Sequence, residues 1–356
     1  MNAKSTTSEA GNLDLRQMTL RLMRGEDLSR VEAANFLEAL LSPAATDAQL
    51  GAALAVLAAK GETVEELAGM AGAMRDRAVP VHSRHTRFID TAGTGSSVAK
   101  TFNISTAAAF VIAGAGVAVA KHGARAATSL SGSADVLEAL GVNTACTAET
   151  VERCLNEHGI CFMFAPRFHG ATARVAHVRR QLGVQTTFNL LGPLTNPARA
   201  PFQIVGVSDA SLLERVASAL VMLGIQRAWV VHGADGLDEI SITDQTRVAA
   251  CSTSTGVETF AVSPEDFGLN RQLLNGRHRE GPNENARLIR AIMQGEHGDN
   301  LRAARDLVLV NAAAALHVSG FTLNLRQATA VARESIDSGR AASKLDALIR
   351  ETNHDR

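Results

Sequence analysis

Cysteine is scarce in this chain: Cys146, Cys154, Cys161 and Cys251 are the only four in 356 residues, and no two stand in a C-x-x-C pair. That excludes a disulfide framework and a cysteine metal site, and it fits a reducing cytoplasm. Long apolar runs are missing too. The most apolar segment, Ala107 to Ala120, falls short of the roughly 20 residues that cross a bilayer and follows polar Asn103, Ser105 and Thr106. It reads as a buried helix running into a strand, with no membrane contact. The polar start, Met1 to Gly11, has no stretch of signal-peptide length and is expected to fray. Charge of one sign is lacking, with 35 Lys and Arg against 36 Asp and Glu, so nothing supports a nucleic-acid or membrane-surface partner.

What is present is a globular composition, 46% apolar and 20% charged. The length predicts two unequal domains or one large α/β domain with an appendage. Up to Pro80 the chain reads as helical. Ser29 with Glu32, Thr46 with Gln49 and Thr63 with Glu66 each pair an N-cap hydroxyl with a reciprocating Glu or Gln three residues on. Leu37, Leu40 and Leu41, then Leu50, Ala53, Leu54 and Leu57, recur at helical spacing. From Phe88 onward short β runs close on glycine turns and lead into helices: Arg87 to Asp90, Val117 to Ala120, Gln203 to Val207 and Ala228 to Val231. Alternation of this kind implies a mainly parallel central sheet flanked by helices, with ligands beyond the carboxyl ends of the strands. Val262 to about Glu284 reads as loop and Asn285 to Arg350 as helix. The expected division is a small helical domain over 1–83, joined in space by helices from about 166–182, and a large α/β domain over 84–356.

Four stretches carry chemistry. In the first, Asp90 to Thr106, a strand ends in Gly93-Thr94-Gly95 and Asn103, Ser105 and Thr106 open a helix, which suits either an anion site or an ordinary capped turn. It has neither a Walker ending nor G-x-G-x-x-G spacing, so an ATPase or dehydrogenase is disfavoured. In the second, Lys121-His122-Gly123-Ala124-Arg125 and then Ser129, Ser131 and Ser133 follow an apolar strand, so a point charge, a guanidinium fork and hydroxyls could meet a pyrophosphate. A solvated loop is the alternative. In the third, Asp238-Glu239, just past His232-Gly233-Ala234-Asp235-Gly236, could hold one or two Mg²⁺ ions or serve as a surface carboxylate pair. His232 receives no metal role. In the fourth, Phe164 to Gly170 and Val178 to Pro197, Arg179 or Arg180 beside an apolar, Pro-interrupted segment could clamp an aromatic carboxylate or stand as an exposed helix charge.

Taken in order, these stretches, with Gly25-Glu26-Asp27-Leu28-Ser29, closely resemble the anthranilate phosphoribosyltransferase family from about Leu20 to about Val318. The resemblance implies a helical domain carrying a homodimer contact and an α/β domain holding phosphoribosyl pyrophosphate. It implies that Gly93, Thr94, Gly95, Thr101, Asn103, Ser105, Thr106, Lys121 and Ser133 meet that donor. Asp238, Glu239 and Ser105 would take magnesium; Gly93, His122, His169 and Arg179 would meet anthranilate; no obligatory general base is implied. Four departures fall on the first loop and the acceptor side: Ser96-Ser97-Val98 for Gly-Asp-Gly, Ala124 for Asn, Gly170 for Pro and Gln185 for Arg. They motivate one alternative, another aromatic or heterocyclic amine as acceptor; a non-catalytic nucleic-acid-binding paralogue is a further reading, and the near-neutral charge argues against it.

Overall fold

The structure is a computed structural model that describes residues 14–95, 101–126, 130–273 and 281–354; Met1 to Gly11, Ser96, Ser97, Val98 and Ser129 lie outside the described residues. All three expected start signals are capping boxes. They open α2 (Arg30–Leu41), α3 (Asp47–Lys60) and α4 (Val64–Arg77), which pack with α1 (Leu15–Met23). Each box satisfies two backbone N–H groups that a helix start leaves unpaired. The leucines read at helical spacing, such as Leu37, Leu40, Leu50, Leu54 and Leu57, are buried in one core.

The rest of the chain builds a seven-stranded sheet in the order β3-β2-β1-β4-β5-β6-β7. β1 (Phe88–Gly93), β2 (Ala118–Gly123), β3 (Ile160–Phe164), β4 (Phe202–Gly206) and β5 (Arg227–Gly233) pair in parallel, while β6 (Thr246–Ser252) and β7 (Gly256–Val262) continue it antiparallel. Side chains alternate across it. Ile204, Trp229 and Val231 join one core with α5 (Ile104–Gly114), whereas Val205, Ala228 and Val230 join the core of the helical bundle, as the period of two requires. The Ala107–Ala120 segment is a buried helix and the strand after it.

The first face also receives α6 (Ser133–Leu140), α7 (Ala148–Arg153), the single turn α8 (Ala165–Phe168) and, from the C-terminal part, α12 to α15 described below. The bundle side receives α9 (Ala173–Leu182), α10 (Phe188–Leu194) and α11 (Leu213–Met222), with Val175 and Val178 of α9 seated in the bundle core. The C-terminal layer is α12 (Pro282–Met293), α13 (Asp299–Val318), α14 (Leu325–Asp337) and α15 (Arg340–Asn353).

Three strands were not expected. β3 is five apolar residues, Ile-Cys-Phe-Met-Phe, a run too short for its period to separate strand from buried helix. β7 is the edge strand and leaves four consecutive side chains exposed, which hides its alternation; β6, paired on both sides, is buried at five of its seven positions and shows none either. The strand order reverses between β1 and β4. In open α/β sheets that reversal leaves a crevice beyond the carboxyl ends of the two strands.

Candidate active site

The crevice is a cleft of about 360 Å³, and it gathers residues from the ends of β1 and β2, the loop after β5, the start of α5, and helices α9 and α10. Gly93, Thr94, Gly95, Thr101, Asn103, Ser105, Thr106, Lys121, His122, Ser133, Arg179, Asp238 and Glu239 all line it. His169 sits behind them, with its ring edge-on to His122 at 5.1 Å between centroids. Larger clefts exist, of about 710 Å³ beside α13 and α14 and about 990 Å³ between the α3–α4 turn and α11, and neither contains any of these residues.

Backbone proximity builds the donor half. Gly93 and Gly206 stand opposite each other at the ends of β1 and β4. A Cβ on Gly206 would lie 1.7 Å from the Asp238 carbonyl oxygen, and one on Gly93 would lie 3.2 Å from Asp238 Oδ2. At Gly206 only glycine lets the Asp238-Glu239 loop settle onto the strand end, and at Gly93 a side chain would crowd the Asp238 carboxylate. Thr94 fixes the first loop from both sides: its N–H donates to the Gly206 carbonyl at 2.9 Å and its Oγ1 accepts from Ser208 N–H at 3.2 Å.

Charge is concentrated beneath that loop. Ser105 N–H, in the first turn of α5, donates to Glu239 Oε1 at 3.2 Å, so the carboxylate meets the positive end of a helix. Loss of water and the neighbouring Asp238 nevertheless push the Glu239 pKa up to about 8. Lys121 is buried, donates to the Thr91 carbonyl and to Ser105 Oγ at 3.3 Å, and is pulled below its ordinary pKa by burial, against Asp90 and Glu239. Asp90 is fully buried, which raises its pKa; its oxygens accept from His122 N–H at 3.1 Å and Asn196 Nδ2 at 2.7 Å. Asp90 thus pins β2 and the segment after α10 to β1.

Two adjacent carboxylates, one of them held well above its ordinary pKa, stand beside the Ser105 hydroxyl. They form an oxygen donor set that suits a hard divalent ion retaining several waters. Among the described residues no cluster of three or more His, Cys, Asp and Glu forms a complete cage. Magnesium, which binds through one or two carboxylates plus substrate phosphates, fits that incomplete set. Arg125 behaves differently from its expected fork role. Its guanidinium is held by Asp135 at 3.0 Å and Glu138 at 2.7 Å, so its charge is already matched at the rim.

Rings and orphan polar atoms form the acceptor half. His122 Nδ1 lies 3.2 Å from the Gly192 carbonyl; a carbonyl only accepts, so Nδ1 carries the proton and Nε2 a lone pair. That Nε2 is buried without a partner. By the same logic His169 donates from Nε2 to the Thr195 carbonyl at 3.1 Å. Burial depresses both, His122 to about 3 and His169 to about 4, so each is a neutral ring near pH 7. Arg179 lies over the Phe188 ring at 5.6 Å and donates from Nη2 to Asn189 Oδ1 at 2.9 Å, while its Nε is buried without a partner.

Some contributors escaped the sequence reading. Asp90, Asn189 and Asn196 stand inside the motifs but received no role; Gly206 and Asn285 stand outside them. Gly206 closes an apolar strand, as Gly93 and Gly123 do, and that was its available signal. Asn285 shares the buried face of α12 with Ile289, Ile292 and Met293, and an amide on an apolar stripe asks for a partner.

The chain is similar to known proteins over nearly its whole length. The glycosyl transferase family a/b domain matches residues 85–342, and that family's helical bundle domain matches 16–78. Anthranilate phosphoribosyltransferase of Moorella thermoacetica is 49% identical over 94% of this chain and 97% of its own length. The enzyme of that name from Anaeromyxobacter dehalogenans is 51% identical over 93% and 97%. Among solved structures, anthranilate phosphoribosyltransferase from Thermus thermophilus superposes with a TM-score of 0.87 at 39% identity, covering 96% of this chain and 99% of its own. The Saccharomyces cerevisiae enzyme, in complex with PRPP and Mg, gives 0.86 at 30% identity, covering 96% and 98%.

Proposed function

The chain belongs to the anthranilate phosphoribosyltransferase family, and from that premise we propose that it transfers the phosphoribosyl group of phosphoribosyl pyrophosphate to anthranilate, releasing pyrophosphate, in tryptophan biosynthesis. The observation that carries this is convergence: the anion-binding loops, the Asp238-Glu239 pair and the half-buried Arg179 share one cleft. On this reading Gly93, Thr94, Gly95, Thr101, Asn103, Ser105, Thr106, Lys121 and Ser133 hold the donor. Asp238, Glu239 and Ser105 hold Mg²⁺, which when bound supplies neutralisation of the leaving pyrophosphate. Gly93, His122, His169 and Arg179 receive anthranilate.

Displacement at C1 breaks the bond to pyrophosphate as the amine nitrogen forms its own, with inversion. Negative charge grows on the leaving oxygen, and the Lys121 ammonium beneath the loop opposes it. Arg179, desolvated and with Nε free, can grip the acceptor's carboxylate and so aim its amine. The lone pair on His122 Nε2 can accept an N–H from that amine. With a pKa of about 3 it orients the amine but does not hold its proton, which the strongly acidic alkylated anilinium gives up to the released pyrophosphate.

The division into units is read as 1–83, accompanied by 166–182, and 84–356. A homodimer forms through the bundle, supported by exposed Met23 and Val31 on α1 and α2. Among the described residues no helix is long and apolar enough to cross a membrane; a cytoplasmic setting is proposed, and the near-neutral charge argues against nucleic acid.

The test is pyrophosphate release from phosphoribosyl pyrophosphate with Mg²⁺ across a panel of aromatic amines. Release with anthranilate is expected. Release with another amine alone would reassign the acceptor, and no release with any, together with no calorimetric uptake of the donor, would overturn the reading.

A further inference from the structure

Asn103 occupies the N-cap position of α5, yet its side chain does not cap the helix. Asparagine at that position ordinarily gives its amide oxygen to the first turn. Here the oxygen is used elsewhere. Asn103 Oδ1 accepts from Ser131 Oγ at 3.0 Å and from Asn285 Nδ2 at 3.1 Å, while Asn103 Nδ2 donates to the Ser131 carbonyl at 3.2 Å. The amide oxygen has two lone pairs and both are taken; the amide nitrogen has two hydrogens, of which one is placed.

Asn285 comes from far along the chain, in the first turn of α12, and is 2% exposed. It does not line the cleft, whereas Asn103 and Ser131 do. Its nearest functional partner is therefore the Asn103 amide. An asparagine amide can flip end for end with almost no change in shape, and the two orientations present opposite charge. The Ser131 carbonyl can only accept, so it takes Nδ2 and fixes which end of the amide is which; Ser131 Oγ and Asn285 Nδ2 then fill the oxygen, and the second N–H of Asn103 is left for the cleft. With the amide reversed, it would show a carbonyl oxygen to an anionic donor.

We infer that Asn285 is a positioning residue that, together with Ser131, holds the polarity of the Asn103 amide, so that an N–H and not a carbonyl oxygen faces the phosphoribosyl pyrophosphate. This rests on the donor reading of the cleft given above. It assigns the C-terminal helical layer a part in donor binding through one hydrogen bond to the cradle.

The consequence is an unusual ranking of substitutions. Asn285→Ala removes one of the two donors and leaves Ser131. Asn285→Asp keeps the shape but replaces the donor with an acceptor, which favours the reversed Asn103. A buried carboxylate costs stability by itself, so a role in packing alone predicts a lower melting temperature for Asn285→Asp with the KM values for both substrates moving together. On the polarity argument Asn285→Asp raises the KM for phosphoribosyl pyrophosphate more than Asn285→Ala does and spares that for anthranilate. The expected result is a KM for phosphoribosyl pyrophosphate raised about fivefold by Asn285→Ala and several times more by Asn285→Asp, with the KM for anthranilate within about twofold of wild type in both.

Equal or reversed ranking of the two variants, or parallel rises for both substrates, would overturn the inference. Should Asn285→Asp fail to fold, the cycle formed by Asn285→Ala and Asn103→Ala decides. Loss of Asn285 should add nothing once the Asn103 amide is gone, and multiplying effects would refute the coupling. Wild-type turnover measured alongside separates the two levels: if wild type does not use the donor, the proposed function fails, and if it does while the ranking is wrong, only the role of Asn285 fails.

Discussion

The two halves of the cleft are built by opposite means. On the donor side nearly every group already has its partner: Thr94 is tied to Gly206 and Ser208, Asn103 to Ser131 and Asn285, and Glu239 to Ser105. Thr106 Oγ1 is the exception there; on the acceptor side the groups that matter are left wanting, with His122 Nε2 and Arg179 Nε both buried without a partner. A buried polar atom left unpaired costs free energy that a ligand can return. The contrast teaches that the donor side is preorganised as a scaffold for charge, whereas the acceptor side is completed by what enters it.

If the donor side is a fixed charge frame, removing its carboxylates should abolish turnover without loosening the protein. Asp238→Asn with Glu239→Gln is expected to lower turnover by roughly a thousandfold or more. The same variant should melt at or above the wild-type temperature, because it relieves the repulsion between two neighbouring half-buried carboxylates. Steady-state assay beside thermal unfolding checks both halves of that statement. Retained turnover would detach Asp238 and Glu239 from the chemistry.

The same contrast explains what the sequence could reveal. The capping boxes at Ser29, Thr46 and Thr63, the strand ends at Gly93, Gly123 and Gly233, and the Asp238-Glu239 pair all depend on neighbours within a few residues, so they are legible as local patterns. Asn285 reaches Asn103 across 182 positions and Gly206 yields to Asp238; these depend on which strands become neighbours, which spacing along one chain does not encode. β3 was missed because five apolar residues have no readable period, β7 because an exposed edge strand loses its alternation, and β6 because it is mostly buried on both faces. On the acceptor side the motif residues were visible, but the free tautomeric face of His122 follows from Gly192, 70 positions away.

A smaller effect should separate the halves from the acceptor side. Arg179→Ala is expected to raise the KM for anthranilate by roughly tenfold to a hundredfold, the range for a hydrogen bond to a charged group, while the KM for phosphoribosyl pyrophosphate changes little. Initial rates with each substrate varied in turn would measure it. Equal rises would place Arg179 in the frame shared by both halves.

The smallest effect is one of pH, and it should carry opposite signs in the two halves. His122 and His169 have folded pKa values of about 3 and about 4 against an unfolded value near 6.5. Between those limits the unfolded chain binds more protons, so each histidine makes the fold less stable as pH falls below 6.5, by at most about 1.4 kcal/mol per pH unit. Glu239 is reversed: its folded pKa of about 8 lies above the unfolded 4.5, so its contribution is fully present below 4.5 and is lost as pH rises toward 8. Urea midpoints with a chelator present, taken from pH 7 down to pH 5, should therefore fall less steeply than wild type when both histidines are changed to glutamine. Glu239→Gln should make them fall more steeply, since it removes a group that gains from acid. Slopes that move in the same direction in the two variants would mean that the halves are not electrostatically distinct, and the division between a charge frame and a receptive pocket would have to be abandoned.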